Sequence, residues 1–305
     1  MKYFDYRKFT LNNLINIKKE EKVTIGLALP VYNEEKTLIK TIKIIRKCKN
    51  LIDELIIIDS GSSDNSINIC KKMGLKIIDD KKASKDLGIP LKRGKGWNLW
   101  ASLYYLNTDI IIWIDSDIEN INIRFITGLL GPMLIDKKIK FVKGYYHRPK
   151  GDARVTEIMV RPFINLIFQN VKDFIQPLSG EYGGRREFLE QVSFYSGYSV
   201  EMAVLLQADF LLKKKEIAQV YLGKRIHALQ DVTSLGRMSI GILHTLFKIA
   251  EQAKYLKLNK RLGNGLQNYL SSDGVNFSPI QFKITDEKLP AMVTLKKYGK
   301  KLRKK

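Results

Sequence analysis

Cysteine is nearly absent from this sequence: Cys48 and Cys70 are the two examples among 305 residues. Both lie among apolar residues in segments that read as helices, so we expect reduced, buried thiols. Two such residues support neither a disulfide framework nor a cysteine-based metal site. Internal repeats and low-complexity segments are also missing, apart from a lysine-rich tail. These absences exclude small disulfide-stabilised folds and repeat proteins.

Long apolar runs are missing as well. The apolar stretch 110–114 is interrupted by Asp115, and no run reaches the roughly 20 residues that a helix needs to cross a bilayer. Residues 1–20 are polar and contain lysine, without the apolar core or the cleavage site of a signal peptide. We therefore expect a soluble, cytoplasmic protein with no membrane span.

Acidic residues are in a minority, since 31 Asp and Glu stand against 53 Lys and Arg, for a net charge of +22. Such an excess is typical of proteins that bind nucleic acids or anionic membranes. Here the lysines are scattered over nearly every predicted helix, and the one dense run lies at 296–305. We interpret the excess as a solvated basic surface with a flexible tail, not as a nucleic-acid site. Such a surface still attracts phosphorylated substrates.

What the sequence does contain is the composition of an ordinary globular protein, 45% hydrophobic and 28% charged, which can bury a sizeable core. Its first half alternates apolar runs with amphipathic stretches, and this pattern predicts βαβ units around a buried parallel sheet. The predicted strands are 23–29, 54–59, 76–78, 109–114 and 139–145, and the predicted helices are 35–47, 64–72, 96–105 and 123–135. The fold class is therefore α/β, and we expect the parallel array to end after residue 145.

Beyond residue 150 the pattern loosens. The segments predicted there are helices at 154–168, 200–212 and 231–256, a glycine-rich turn at 180–184, a strand at 218–222 and a polar, turn-rich excursion at 263–290. We predict one catalytic unit, because single cores begin to split only near this length. Its first half is 1–150, its second half is 151–256, and a C-terminal extension with the basic tail covers 257–305.

Four polar turns lie at or near the ends of predicted strands. Open parallel sheets bind ligands at the carboxyl ends of their strands, so these turns are candidate binding segments. Residues 30–35 offer backbone groups, the Tyr32 ring and a carboxylate, and residues 59–64 offer hydroxyl groups for a ribose. In residues 93–96 two glycines flank Lys95, which suits a phosphate at a helix N-terminus.

The fourth turn carries Asp115 and Asp117 on either side of Ser116, directly after an apolar strand. Carboxylate oxygens are what a hard divalent cation needs when it bridges a diphosphate, whose own oxygens complete the coordination shell. The cation then acts as a Lewis acid on the leaving diphosphate. Acidic pairs in surface turns are common, so it is the company of the other three turns that indicates a metal site.

These motifs resemble a known family. Residues 29–35 (LPVYNEE), 59–64 (DSGSSD) and 115–117 (DSD) are similar to the nucleotide-sugar half of the GT-A glycosyltransferases. Motifs outside that half resemble the glucosyl-3-phosphoglycerate synthases: 154–157 (RVTE), 161–162 (RP), 176–182 (QPLSGEY), 184–187 (GRRE), 197–201 (GYSVE), 217–220 (IAQV), Gly223 and His227. The resemblance covers residues 23–248.

The resemblance implies a GT-A, Rossmann-like nucleotide-sugar-binding sheet with a C-terminal acceptor-binding region. It implies a retaining transfer of glucose from UDP-glucose, or from GDP-glucose, to the 2-hydroxyl of 3-phosphoglycerate. The product is a precursor of glucosylglycerate, a compatible solute. Mg²⁺ is the expected cofactor, with Mn²⁺ as its alternative, and a homodimer is the family's habit.

The resemblance also assigns roles by position. The residues it places on the nucleotide sugar are Pro30, Val31, Tyr32, Glu34, Ser60, Lys95, Asp115, Ser116 and Tyr198. The acceptor residues are Arg154, Val155 and Thr156, the metal ligands are Asp117 and His227, and the residues nearest the reaction are Asp117, Leu178 and Glu201. The planar guanidinium of Arg154 independently suits a phosphate or a carboxylate.

This sequence departs from the family at two places. Asp152 and Ala153 stand where the family has two glycines before its RVT motif, so the acceptor loop has less backbone freedom,. Leu229 stands where an asparagine commonly follows the family's histidine by two residues. Neither change removes a predicted metal ligand or the acceptor arginine, so we retain the activity and leave the donor preference open.

Several of these residues have simpler interpretations. His227 could be a structural histidine, as we take His147 and His244 to be. Glu201 could merely complement a helix dipole, and Tyr32 and Tyr198 could be core aromatics. The pair Arg185 and Arg186 could be solvated, or Arg185 could face the acceptor or the diphosphate.

Other functions also compete with the leading one. A related enzyme would use GDP-mannose with the same acceptor, or would glycosylate a polyprenyl phosphate at a membrane. A non-catalytic polyanion-binding protein would bind nucleic acid in a salt-sensitive way even without Asp117.

Overall fold

The computed structural model describes residues 1–148, 154–228, 230–271 and 275–302. The departures from the family at Asp152, Ala153 and Leu229, and the last residues of the basic tail, lie outside the described part of the chain.

Strands and helices alternate along most of the chain. The strands are β1 (Lys2–Asp5), β2 (Ile25–Val31), β3 (Glu54–Asp59), β4 (Lys76–Asp79), β5 (Ile110–Trp113), β6 (Phe141–His147), β7 (Tyr182–Arg185), β8 (Phe194–Tyr195), β9 (Ile217–Lys224), β10 (Gly265–Ser271), β11 (Phe277–Lys283) and β12 (Lys288–Leu289). The α-helices are α1 (Leu11–Glu21), α2 (Glu35–Lys47), α3 (Ser66–Lys72), α4 (Asp80–Leu87), α5 (Lys95–Tyr105), α6 (Ile123–Ile135), α7 (Arg161–Ile167), α8 (Arg186–Leu189), α9 (Val200–Leu211), α10 (Val232–Gln252) and α11 (Lys296–Leu302). A π-helix at Thr156–Val160 runs into α7.

One eight-stranded sheet forms the centre of the molecule, in the order β1-β9-β6-β7-β5-β2-β3-β4. Only β7 runs antiparallel to its neighbours, β5 and β6. The expectation that the parallel array ends after residue 145 is wrong, because β9 pairs in parallel with β6 and β1 pairs in parallel with β9. The sheet is thus built from both sides of the predicted boundary at residue 150.

Residues 180–184, predicted as a turn, include most of strand β7. Glycine weakens a strand because it has no side chain to pack, so the glycine pair suggested a turn. The bare backbone is needed here: a Cβ on Gly183 would lie 2.4 Å from the carbonyl oxygen of Ile111 on β5. The glycines of β7 therefore allow the strands to approach, and they do not break the sheet.

Alternation along the strands produces an apolar layer on each face of the sheet. In β5, Ile111 and Trp113 join one buried cluster and Ile110 and Ile112 join the other. Strand β2 divides in the same way, with Ala28 in one cluster and its neighbours in the other. Successive side chains of a strand point to opposite faces, so a continuous apolar run is what a sheet covered on both faces requires.

Helix periodicity predicted some boundaries well. The predicted bounds of α2 and α6 agree with the structure at both ends. Helix α3 begins at Ser66, and Asp64 accepts a hydrogen bond from its amide at 3.0 Å instead of acting as the N-cap. Asp231 is the N-cap of α10 and accepts from the amide of Ser234.

The C-terminal extension contains more regular structure than we predicted. Strands β10 and β11 form an antiparallel hairpin, and β12 pairs with β8 from the middle of the chain. Cys48 and Cys70 are free and buried, as predicted, and burial raises the pKa of each thiol to about 11. Among the described residues, no helix is both long and apolar enough to cross a membrane.

Candidate active site

The carboxyl ends of the parallel strands open into one cavity of about 570 Å³. Every site residue predicted from the sequence lines it: Pro30, Val31, Tyr32, Glu34, Ser60, Lys95, Asp115, Ser116, Asp117, Arg154, Val155, Thr156, Leu178, Tyr198, Glu201 and His227. Strand β7 runs antiparallel to its neighbours, so its N-terminal end lies at this same edge of the sheet. The segment before β7 therefore also reaches the cavity. The fold brings these residues together, and their individual roles stay predictions.

Lys95 is the central cation of the cavity floor. Its Nζ lies 2.5 Å from Asp115 Oδ1 and 2.7 Å from Glu201 Oε1. Although burial opposes the charge, Asp115 and Glu201 raise the pKa of Lys95 well above its usual value. Lys95 and Arg225 in turn hold the pKa of Asp115 below its usual range, against the effect of burial. This part of the floor therefore stays ionised at neutral pH.

Arg225 is a second cation of the cavity floor, and it was not predicted from the sequence. Its guanidinium is almost fully buried and reaches three carboxylates: Asp117 at 2.8 Å, Glu181 at 3.2 Å and Asp115 at 3.3 Å. Burial raises the pKa of Glu181, and Arg225 acts in the opposite direction. The only signal in the sequence was the position of Arg225 directly after β9, which is hard to notice in a chain with 53 basic residues.

Glycines make room for these charges. Gly94 precedes α5 with a φ of 123°, which L-residues rarely adopt,. A Cβ on Gly180 would lie 2.1 Å from Asp115 Oδ2 and 2.6 Å from Lys95 Nζ. At Gly96 a Cβ would lie 1.7 Å from the carbonyl oxygen of Tyr195. Glycine at these positions therefore lets the backbone lie close to both the ion pairs and the segment before α9.

The turns after β2 and β3 hold polar groups around the mouth of the cavity. The Ser116 hydroxyl donates to the carbonyl of Pro30 at 2.8 Å, and the amide of Asn98 donates to the Ser60 hydroxyl at 2.8 Å. Tyr32 is 60% exposed and Tyr198 is 50% exposed, so neither ring belongs to the core. Exposed rings at a polar cavity are suited to stacking against a base or a sugar.

Two more cations line a further wall of the same cavity. Arg154 and Arg148 both face the cavity, and Arg154 donates to the carbonyl of Gln230 at 2.6 Å. The guanidinium of Arg148 lies 5.0 Å from the centre of the Tyr146 ring, and that of Arg225 lies 5.5 Å from it. The sequence analysis did not identify Arg148 or Tyr146. This wall is suited to a ligand with more than one anionic group.

Carboxylates crowd the approach to Asp117. Burial raises the pKa of Glu34 to about 7, and repulsion from Asp117 and Asp115 adds to the shift. The Asp117 side chain keeps 36% of its surface exposed, and His227 lines the same cavity. Oxygen and imidazole donors suit Mg²⁺ or Mn²⁺. The described residues include no group of three or more His, Cys, Asp or Glu arranged as a complete metal site, so a bound ligand would have to supply further oxygens.

Lys143 is buried beneath the site. It projects from β6, and its Nζ lies 4.3 Å from the centre of the Tyr182 ring. Desolvation lowers the pKa of Lys143 to about 7, although Glu201 favours its charged form. At neutral pH this lysine is therefore only partly charged.

The structure decides between several alternative interpretations. Arg185 donates to the carbonyls of Met133 and Ile139 and does not line the cavity, so it does not face the diphosphate. Arg186 donates to carbonyls around the end of α5, so the solvated pair is also wrong. Glu201 lies in the first turn of α9, and its ion pair with Lys95 gives it more than a dipole role.

Comparison with known proteins identifies the family. The model of glycosyl transferase family 2 matches residues 27–191. A glucosyl-3-phosphoglycerate synthase of Petrotoga mobilis is 38% identical over 315 aligned residues, which cover 99% of this chain and 96% of that protein.

Solved structures of the glucosyl-3-phosphoglycerate synthase of Mycobacterium tuberculosis share the fold. The complex of that enzyme with Mn²⁺, UDP-glucose and phosphoglyceric acid superimposes with a TM-score of 0.85 at 31% identity, covering 97% of this chain and 99% of the other. Its complex with Mg²⁺ and UDP gives a TM-score of 0.86 with the same identity and coverage. The chain described here is a glycosyltransferase that belongs to glycosyl transferase family 2 and, within it, to the glucosyl-3-phosphoglycerate synthases.

Proposed function

We propose that the enzyme transfers glucose from UDP-glucose to the 2-hydroxyl of 3-phosphoglycerate with retention of the anomeric configuration. The observation that carries this proposal is the single cavity, which joins the nucleotide-sugar turns to a second wall with Arg154 and Arg148. The relative from Petrotoga mobilis, at 38% identity, is named glucosyl-3-phosphoglycerate synthase. Phosphoglyceric acid is bound with UDP-glucose in the mycobacterial enzyme.

The donor is held along the turns after β2, β3 and β5. Tyr32 stacks on the base, Ser60 and Asp115 lie on the ribose side, and Lys95 contributes positive charge to the diphosphate. Tyr198 and Glu201 face the glucose hydroxyls. The ion pair between Lys95 and Glu201, at 2.7 Å, ties the diphosphate end of this site to its sugar end.

Asp117 and His227 would hold a divalent cation. When bound, Mg²⁺ or Mn²⁺ neutralises charge on the leaving diphosphate. Arg225 lies 2.8 Å from Asp117 and keeps that carboxylate in place from the protein side. Mg²⁺ and Mn²⁺ are each present with UDP or UDP-glucose in structures of the mycobacterial enzyme.

Arg154, Val155 and Thr156 bind the acceptor, and Arg148 supplies a second guanidinium. A guanidinium matches phosphate and carboxylate groups with two parallel hydrogen bonds. Since 3-phosphoglycerate carries one group of each kind, the wall with two arginines is complementary to it.

The reaction needs no protein nucleophile. The acceptor hydroxyl forms a bond to the anomeric carbon on the face from which the diphosphate departs, and the bond from that carbon to the phosphate oxygen breaks. The hydroxyl proton passes to an oxygen of the leaving diphosphate. The backbone carbonyl of Leu178 lies beneath the anomeric carbon, where it stabilises developing positive charge.

GDP-glucose as an alternative donor and a homodimer remain predictions from the family resemblance, and a cytoplasmic location remains a prediction from the sequence pattern. Nucleotide release is the experiment that tests the function. The enzyme is incubated with Mg²⁺ and UDP-glucose, GDP-glucose or GDP-mannose, with and without 3-phosphoglycerate. We expect UDP release that depends on 3-phosphoglycerate. Asp117→Ala should abolish this release without unfolding the protein.

Other outcomes identify the competing functions. Acceptor-dependent release only from GDP-mannose would show a mannosyl transferase. Release that requires a polyprenyl phosphate would show a membrane acceptor. No release from any donor, together with salt-sensitive nucleic-acid binding that survives Asp117→Ala, would indicate a polyanion-binding protein.

A further inference from the structure

A C-terminal segment, residues 284–290, is attached directly to the loop that carries Tyr198, one of the two residues proposed above to face the sugar. We call this segment the strap. Its strand β12 pairs with β8, and the backbone amide of Ser196 donates to the carbonyl of Glu287 at 2.9 Å. The carbonyl of Pro290 accepts from the indole of Trp100 at 2.8 Å. The strap lies outside the segment matched by the family model, which ends at residue 191.

The loop at residues 195–199 lies between the strap and the N-terminus of α5. On the α5 side, the backbone amide of Trp97 donates to the carbonyl of Ser196 at 2.9 Å, and that of Gly96 donates to Gly197 at 3.3 Å. On the other side, a Cβ on Gly197 would lie 1.9 Å from Asp286 Oδ1. The loop is therefore hydrogen-bonded to α5 on one side and closely approached by Asp286 on the other.

Asp286 makes the polar connection. One of its carboxylate oxygens accepts from the backbone amide of Ser199 at 3.0 Å and also from the Ser199 hydroxyl. Ser199 is the N-cap of α9; its side chain makes no capping bond, and its hydroxyl donates to Asp286. An N-terminal helix amide needs an acceptor from outside the helix. A carboxylate is a strong one, and its charge is favourable at that end.

We propose that Asp286 is a positioning residue for the donor hexose, holding Ser199 so that Tyr198 and Glu201 face the sugar. Tyr198 precedes Ser199 in the chain, and Glu201 lies in the first turn of the helix that Ser199 caps. This inference rests on the proposed function, in which these two side chains contact the glucose. In the proposed function UDP binds at the turns after β2, β3 and β5 and at Lys95, whereas the hydrogen bonds of Asp286 go to Ser199.

The test is binding of two ligands, UDP-glucose and UDP, measured by calorimetry with Mg²⁺ for the wild type and for Asp286→Ala. Loss of a hydrogen bond to a charged group corresponds to about tenfold or more in affinity. We expect the Kd for UDP-glucose to rise by about that factor, with the Kd for UDP within about twofold of the wild type. Asp286→Asn keeps one acceptor oxygen for the Ser199 amide and should recover most of the affinity for UDP-glucose.

Glu287→Gln is the matched control. Glu287 belongs to the same strap, pairs with Lys92 at 2.6 Å with 57% of its side chain exposed, and does not line the donor cavity. Its replacement should change neither Kd. Ser199→Ala removes only the hydroxyl part of the contact, and it provides a second variant, with a smaller selective loss expected, if Asp286→Ala does not fold.

Unchanged affinities for both ligands in Asp286→Ala, or equal losses for both, would overturn the inference. Equal losses would mean that Asp286 supports the whole cavity and not the sugar end. Failure of the proposed function looks different, because the wild type would then release no UDP in response to 3-phosphoglycerate. Binding needs no acceptor, so the two Kd values still test the role of Asp286 if the wild type binds UDP-glucose but does not transfer glucose to 3-phosphoglycerate.

Discussion

Replacing Arg225 with methionine should destabilise the fold because the replacement isolates a buried carboxylate. Of the three carboxylates around Arg225, Asp115 also pairs with Lys95, and Asp117 is partly exposed. Glu181 is fully buried, and its ion pair is with Arg225 at 3.2 Å. Breaking a buried pair from one side costs about 3–5 kcal/mol. At about 2.1 cal/mol/K per residue over 305 residues, this loss lowers the melting temperature by roughly 5–8 °C.

The loss should depend on pH in a defined direction. Without Arg225, burial raises the pKa of Glu181 further above the value in the unfolded chain, so the folded state binds the extra proton. The variant therefore loses stability relative to the wild type as pH rises above about 4.3, the pKa of an unperturbed glutamate. Urea unfolding at pH 5.5 and pH 8 measures this difference, and the deficit should be larger at pH 8.

Two further variants make the test specific. Arg225→Met combined with Glu181→Gln should recover most of the lost stability, because no buried charge remains. Arg161→Met is the matched control, since Arg161 pairs with Glu157 one helical turn away at a partly exposed site, where a pair is worth about 0.3–0.5 kcal/mol. A deficit below about 1 kcal/mol for Arg225→Met, or one that Glu181→Gln does not relieve, would show that an isolated Glu181 charge does not destabilise the fold.

Three other predictions follow from the same cavity. Arg154→Ala should raise the KM for 3-phosphoglycerate about tenfold or more with little change for UDP-glucose, and equal changes in both KM values would place the acceptor elsewhere. Gly180→Ala should weaken UDP-glucose binding because its Cβ would lie 2.1 Å from Asp115 Oδ2. Gly299→Ala is the control, because nothing lies within 4 Å of a Cβ there. Equal effects of the two substitutions on binding would show that the clash with Asp115 is not the cause. The pKa of Lys143 is about 7 in the folded state and about 10.4 in the unfolded chain. Between these pH values the free energy of unfolding of the wild type should therefore rise by about 1.4 kcal/mol per pH unit more than that of Lys143→Met, measured by urea unfolding. Parallel profiles for the two proteins would show that burial does not lower the pKa of Lys143.

Sequence patterns predicted the elements whose periodicity is strong. The bounds of α2 and α6 were correct at both ends, and the turns after β2, β3 and β5 lie at one edge of the sheet as expected. Strand β7 was missed because its two glycines look like a turn, although they are required for close strand packing. Strand β1 was missed because its four polar and aromatic residues have no strand-like apolar pattern. Its strand conformation depends on pairing with β9.

The candidate site was predictable where a motif is local and unpredictable where it depends on distant contacts. The aspartates of residues 115–117 could be identified from their position after a predicted strand, whereas the family resemblance identified the RVT motif and supplied the expected roles of both. Arg225 carries no motif, and its importance comes from three carboxylates that lie more than forty residues away in sequence. Asp286 was lost in a polar segment for the same reason, since its partner Ser199 lies 87 residues away.

NMR of the product tests the proposed transfer of glucose to the 2-hydroxyl of 3-phosphoglycerate with retention. UDP-glucose labelled with ¹³C at the anomeric carbon is incubated with enzyme, Mg²⁺ and 3-phosphoglycerate. We expect a new α-anomeric signal with a long-range correlation to carbon 2 of the phosphoglycerate. A β-anomeric product, free glucose, or a correlation to any other carbon would rule out this transfer.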